Sequence, residues 1–402
     1  MPRFQVTALA VWTVAIHPVV GSNSSLAELN KRGFVVYRGV ASPSEVAKCL
    51  DLLWSFLEGL GTGINRSRWT TWTRHTWPAL GGHLEHFGIG QSDFMWAVRS
   101  LPRVREVFRQ IWETDRPCCG PCPPVDLARS PFRPCRPHLG RRQIRPVNLA
   151  VGLSRTPGSP IPTEDELLVS FSGAFATRPG DPVSGTLGYH IDQHPLSRPP
   201  GDCVQGLLAL AASHSATGGL AFVPGSHRWF PSYWTRRYGK SLRNLKREYM
   251  PVPGSDQELQ RLLDQRVVFP ELAPGDLVVW WSHLLHRGVP AGFYADTPPG
   301  QLQRAAALVT MTPRARASTA VLEARRAAVC EGTATSHWPH LFHPVTWRPV
   351  LRDADMKLVA KARPCAPARL TAAQWRLVGI DDPEAQELLE RGCPAAGGAG
   401  AA

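Results

Sequence analysis

Apolar positions change period along this chain, and the change divides it into parts. In the first third they recur three and four apart. In the middle they alternate or form short unbroken runs between glycines and prolines, as strands do. Ordered sequence is expected from about Leu26. Residues 32–40, with Phe34-Val35-Val36-Tyr37 at their centre, read as a short strand. Ser42-Pro43-Ser44-Glu45 then opens a helix, with Ser42 as N-cap, Pro43 in the first turn and Glu45 closing a capping box. Val46, Leu50, Leu53, Leu57 and Leu60 lie on one face of it, and Gly61 and Gly63 stop it. Ser92 caps a second helix through Val98, and Pro102 starts a third that runs to Trp112. Between them, Trp69, Trp72 and Trp77 sit among threonines and basic residues. They read as a loop pinned to the core by its indoles rather than as a substrate-facing wall.

From Leu167 the pattern is that of strands. Runs 167–171, 206–210, 221–223, 267–269 and 277–281 are separated by Gly- and Pro-rich turns, notably Pro224-Gly225-Ser226 and Pro274-Gly275-Asp276. A charged helical patch at 238–249 interrupts them, and Arg304 opens a last strand. Short strands with this punctuation predict a mainly β fold with flanking helices and a jelly-roll core. Helices return towards the C-terminus, with a capped start at Leu370-Thr371.

Composition changes this picture at one place. The chain has 402 residues, 43% hydrophobic, and a net charge of +13. Residues 116–163 hold eight arginines, one acid and eleven prolines, and contribute +7 of that charge. The basic balance therefore belongs mostly to one insert, which argues against a nucleic-acid partner. The insert lacks apolar periodicity and reads as a disordered loop, either genuine or an unspliced intron. Its Cys119-x2-Cys122 and Cys135-x2-His138 have zinc-ligand spacing, but prolines crowd every ligand. Nine scattered cysteines do not make a secreted disulfide framework, so a reducing, cytoplasmic setting is expected. Residues 4–20 resemble a short signal-peptide core, interrupted by His17 and Pro18. No apolar run is long enough for a membrane span. The expected organisation is a weak targeting or disordered segment 1–25 and a single domain 26–392, followed by a disordered tail 393–402. Within the domain, a helical part covers 26–115, the insert 116–163, the β core 164–315 and C-terminal helices 316–392.

Chemistry enters at Gly188-Tyr189-His190-Ile191-Asp192. On a strand, residues two apart share a face, so His190 and Asp192 can aim an imidazole and a carboxylate at one metal ion. A second histidine would complete a two-histidine, one-carboxylate face with open positions opposite. His283 and His286 are the candidates, and His286, just beyond an apolar strand, is preferred. Arg304, eighteen residues on, could hold a carboxylate bidentately. His337, His340 and His343 stand close in sequence, but Pro339 and Pro344 break any helical spacing, and no second metal site is expected there.

These motifs form a set. His190-x-Asp192, Gly218-Gly219-Leu220-Ala221-Phe222-Val223-Pro224-Gly225-Ser226-His227, Pro274-Gly275-Asp276, the distal His286 and Arg304 together resemble the phytanoyl-CoA dioxygenase family of iron(II)/2-oxoglutarate oxygenases. The resemblance spans about residues 28–315 without the insert. It implies a double-stranded β-helix, His190, Asp192 and His286 as ligands of Fe(2+), and Arg304 as the anchor of 2-oxoglutarate. The implied activity uses O2 to hydroxylate a small organic molecule, releasing succinate and CO2. Asp192 argues against halogenation, which needs that position free for chloride. One departure stands out. Some members carry a hydroxyl residue two positions after the distal histidine or after the arginine, and here those positions are Gly288 and Ala306. That departure keeps two other readings in play, a catalytically silent jelly-roll metal-binding module and a cupin-type metal-dependent isomerase or hydrolase.

Overall fold

The computed structural model describes residues 23–78, 82–113, 166–180, 188–244, 247–291, 297–345, 350–352, 358–361 and 368–381. The expectations for residues 1–22, for the insert with its zinc-like spacing, and for the tail fall outside these residues. Eight helices are described: α1 (Asn23–Arg32), α2 (Pro43–Gly59), α3 (Asp93–Arg99), α4 (Pro102–Glu113), α5 (Ser226–Tyr238), α6 (Gln257–Asp264), α7 (Thr319–Glu331) and α8 (Ala372–Val378). The strands of the core are β1 (Phe34–Tyr37), β2 (His83–Leu84), β3 (Leu167–Val169), β4 (Ala174–Thr177), β5 (His190–Ile191), β6 (Val204–Ala209), β7 (Gly219–Phe222), β8 (Met250–Pro251), β9 (Leu277–Trp281), β10 (His286–Val289) and β11 (Arg304–Pro313).

They form two antiparallel sheets. The larger runs β1-β9-β6-β11-β4-β2, with β3 also on β11, and the smaller runs β7-β10-β5-β8. Phe222 of the small sheet stacks on Phe34 (centroids 4.7 Å apart) and approaches Trp280 (5.6 Å) of the large one, so the sheets pack through aromatic rings. Burying such rings and the all-buried stretch Leu277–Trp281 is the main stabilising term here.

Local chemistry explains most elements. Ser42 caps α2 as expected: its Oγ accepts from Glu45 N, and Glu45 Oε2 accepts from Ser42 N at 2.8 Å. Gly275 adopts φ +93°, and a Cβ there would lie 2.3 Å from the Ala41 carbonyl, so glycine alone fits the turn into β9. Asp276 then ties the turn to the end of β1 by accepting from Arg38, Gly39 N and Ala273 N. Thr371 caps α8 with Gln374 as its reciprocal partner. Trp72 and Trp77 are buried against Trp54, whereas Trp69 is 55% exposed. The tryptophan loop is thus pinned by two of its three indoles.

Other expectations are corrected. Helix α1 starts at Asn23, three residues before Leu26, and buries Ser25. Pro224-Gly225-Ser226 does not lead on to another strand; Gly225, at φ +77°, starts the thirteen-residue α5. Trp234 and Tyr233 of α5 are buried in the core under the small sheet, and this packing overrides the weak helix propensity of an aromatic-rich stretch. Within the charged patch at 238–249, Tyr238 ends α5 and Gly239–Asn244 form a 3-10 helix. Val267-Val268-Phe269 forms only a bridge, Val268 to Phe222. Asp256 caps α6, which the apolar pattern did not suggest. Cys49 and Cys203 are buried free thiols, and Cys330 is disulfide-bonded. Among the described residues no helix is long and apolar enough to cross a membrane.

Candidate metal centre

The small sheet builds the centre. His286 on β10 is the direct register partner of His190 on β5. That pairing sets the two imidazoles 4.3 Å apart, centroid to centroid. Asp192 lies just past the short β5, and its backbone N–H donates to Ser282 O at 2.9 Å, which keeps the chain extended enough to bring the carboxylate back over the rings. Its Oδ2 is 3.2 Å from His286 Nε2, and its Oδ1 is 3.8 Å from His190 Nε2. Donor atoms of His190, Asp192 and His286 all lie within 4.8 Å of one another, the one such group of three among the described residues. His283, the other candidate, is buried beside His227 with ring centroids 5.7 Å apart and is not part of the group.

Each imidazole is fixed from behind. His190 Nδ1 is 2.7 Å from Gly188 O, and His286 Nδ1 is 2.9 Å from Leu284 O. A carbonyl only accepts, so Nδ1 of each ring carries a proton and Nε2 is the nitrogen each ring turns toward Asp192. Gln205 on β6 donates to Asp192 Oδ2 at 3.0 Å and orients the carboxylate. Two imidazole nitrogens and a carboxylate converging on one point form a donor set that fits a divalent metal ion. Burial, and then the neighbouring His286, lower His190 to about 4. Burial alone would raise the Asp192 carboxyl, but His190, His286 and His337 hold it far below the usual carboxylate range.

Arg304 begins β11 in the large sheet, and its Cζ lies 4.3 Å from the centre of the Phe175 ring on β4. Burial pulls its guanidinium down to about 10. It makes no hydrogen bond or ion pair with any described residue. It lines a small pocket with Leu207, Ala209, Val278, Ala306 and Ser213, hydrocarbon except for the serine hydroxyl, which already donates to Gly218 O at 2.9 Å. Gly288 and Ala306 offer no hydroxyl, as the sequence showed.

Three residues near the centre carried no motif. Gln205 looks like any polar residue in a strand. His83 on β2 stacks on Phe175, 4.7 Å away, with its Nδ1 3.1 Å from Glu85 and its buried Nε2 unpartnered. His337, from the segment after α7, sits within hydrogen-bonding reach of the Asp192 backbone and in the field of Asp192 and His286. It joins the surroundings of this centre, whereas His340 Nε2 lies 3.6 Å from Asp202. Only the folded chain brings His83 and His337 to the site, since they come from more than 100 positions before His190 and more than 140 after it.

The chain is 23% identical over 319 residues to "Ava biosynthesis cluster protein O" of Aspergillus versicolor, covering 78% of this chain and 85% of that protein. Among solved structures it is similar to the epimerase SnoN in complex with Fe3+, alpha ketoglutarate and nogalamycin RO, at 14% identity, 72% and 82% coverage and a TM-score of 0.40. It is also similar to EvdO2 from Micromonospora carbonacea var. aurantiaca complexed with 2-oxoglutarate, at 16% identity, 75% and 92% coverage and a TM-score of 0.38. The stretch that contains His190, Asp192 and His286, residues 162–291, matches the phytanoyl-CoA dioxygenase (PhyH) family, the one its motifs resemble.

Proposed function

We propose that this chain is an iron(II)/2-oxoglutarate-dependent dioxygenase that hydroxylates a small organic substrate on a double-stranded β-helix. The observation that carries the reading is the convergence of His190 Nε2, His286 Nε2 and the Asp192 carboxylate within 4.8 Å, inside a segment matching the PhyH family. His190, Asp192 and His286 would hold the iron, and Arg304 the far carboxylate of 2-oxoglutarate. When bound, iron with 2-oxoglutarate and O2 supplies oxidative decarboxylation to succinate and CO2, coupled to oxidation of a substrate C–H bond.

The chain's own residues do the rest. The Gly188 and Leu284 carbonyls hold both imidazoles in the metal-binding tautomer, and Gln205 keeps the carboxylate aimed. Arg304 offers a planar pair of donors in a hydrocarbon pocket, where a charge-assisted bond is strong. A relative named for a biosynthesis cluster accords with a small-molecule substrate. Anaerobic titration of the Fe(II) protein with 2-oxoglutarate tests the reading, which expects a weak visible charge-transfer band and, on admission of air, succinate. A silent binding module would take up iron without the band, and a cupin-type isomerase or hydrolase would ignore 2-oxoglutarate.

A further inference from the structure

β4 lies between β2 and β11, so Phe175 meets a residue from each neighbour. On β2 the residue directly opposite is His83, and its imidazole lies nearly parallel to the phenyl ring at 15°. On β11 the opposite residue is the small Ala306, and Arg304, two positions away on the same face, covers the ring with its guanidinium. One aromatic side chain thus carries two nitrogen-rich groups. Gly173 permits the arrangement: a Cβ there would lie 1.8 Å from the Leu84 carbonyl, so any other residue would push β2 and His83 off the sheet.

The two nitrogens of His83 differ. Nδ1 is 3.1 Å from a carboxylate oxygen of Glu85. Nε2 is buried and has no partner among the described residues. A buried polar nitrogen without a partner is costly, and a ring backed by a carboxylate is well placed to become an imidazolium donating on both sides. The charged and titratable groups acting on His83 are Glu85, Arg304, His86 and Asp192. It therefore stands in the field of both the carboxylate anchor and the metal centre, where the hydroxyls missing at Gly288 and Ala306 leave a dicarboxylate one donor short.

We propose that His83, backed by Glu85, is the second donor to the 2-oxoglutarate bound at Arg304, and that it takes up one proton from solvent as that dianion binds. The inference rests on the oxygenase reading. In the free protein, burial lowers His83 below 6.5; Glu85 and Asp192 oppose this, and Arg304 and His86 reinforce it. The ring is therefore neutral near pH 7, with its single proton on the Glu85 side. A carboxylate arriving at Nε2 raises its proton affinity. Affinity for 2-oxoglutarate is then greatest on the acid side and falls as pH rises through the window between the free and the liganded pKa. The fall is up to about tenfold per pH unit, the limit for one coupled proton.

The test is calorimetric titration of the anaerobic Fe(II) protein with 2-oxoglutarate at pH 7, in two buffers of different ionisation enthalpy. About one proton taken up per 2-oxoglutarate is expected for the wild type. H83K, with a permanent ammonium, should bind with no uptake and with a flat pH profile. H83Q should bind more weakly, also without uptake, and E85Q should lower the uptake. Binding by the wild type without proton uptake, or equal uptake by H83K and wild type, overturns the role of His83 alone. A wild-type Fe(II) protein that binds no 2-oxoglutarate overturns the oxygenase reading itself.

Discussion

Replacing Arg304 by methionine separates a ligand anchor from a structural cation. Burial pulls the guanidinium from its usual range down to about 10 without a carboxylate partner among the described residues. At about 1.4 kcal/mol per pH unit, that drop corresponds to ~3 kcal/mol of lost hydration. A structural arginine in such a place is normally offset by an acid or by backbone carbonyls. Arg325 shows the alternative, donating to the carbonyls of Val169, Leu377, Val378 and Pro339. Arg304 has no such set among the described residues; on the proposed role its cost is carried by the free protein and offset when 2-oxoglutarate binds. Methionine keeps the volume and the contact with Phe175 and removes the charge. R304M should therefore be as stable as the wild type or more so, by at most ~3 kcal/mol, because an uncompensated buried charge has gone. Its affinity for 2-oxoglutarate should fall by on the order of 100-fold, the equivalent of about 3 kcal/mol. The assay is the visible band of the anaerobic Fe(II) protein titrated with 2-oxoglutarate, with urea denaturation alongside. Binding within threefold of wild type, or a loss of more than about 1 kcal/mol of stability, would refute the reasoning.

Removing the carboxylate of the metal centre in D192A should abolish tight Fe(II) binding and with it the rise in melting temperature that metal gives the wild type; an equal rise in the variant would count against the assignment. Stability should decline on acidification between about pH 6.5 and 4. His227 is lowered to about 4 and His283 to about 3, both chiefly by burial, so the unfolded chain binds more protons across that window. Each histidine contributes up to about 1.4 kcal/mol per pH unit, H283Q should flatten the slope by about one such share, and a urea midpoint constant from pH 6.5 to 4.5 would contradict this. S42A removes the capping box of α2 and should cost ~1 kcal/mol by chemical denaturation. In the tryptophan loop, W69A should change stability by less than about 0.5 kcal/mol, whereas W72A should cost about 3–5 kcal/mol, and similar values for the two would show that the loop is not pinned as described.

What could be read from the order of residues was what local chemistry decides. The caps at Ser42, Ser92 and Thr371 were legible because N-capping uses atoms three residues apart. The strands at 167, 206, 277 and 304 were legible because alternation, apolar runs and Pro-Gly turns are local signals. The convergence of His190 and Asp192 was legible because the two candidate ligands share one short stretch, and that of His286 because it follows an apolar strand. Packing decided the rest. Helix α5 forms because Tyr233 and Trp234 find a core under the small sheet, which no period in 226–238 announces. Gln205 reaches Asp192 through the sheet interior, and His83 reaches Phe175 only because β2 joins the edge of the large sheet. His337 is delivered by a segment whose Thr335 is bonded to Phe171 in both directions. A metal centre is visible in sequence where its ligands are near neighbours. The groups that tune it come from distant segments, and their identity as donors exists only once tertiary contacts have removed water and left one nitrogen of a ring without a partner.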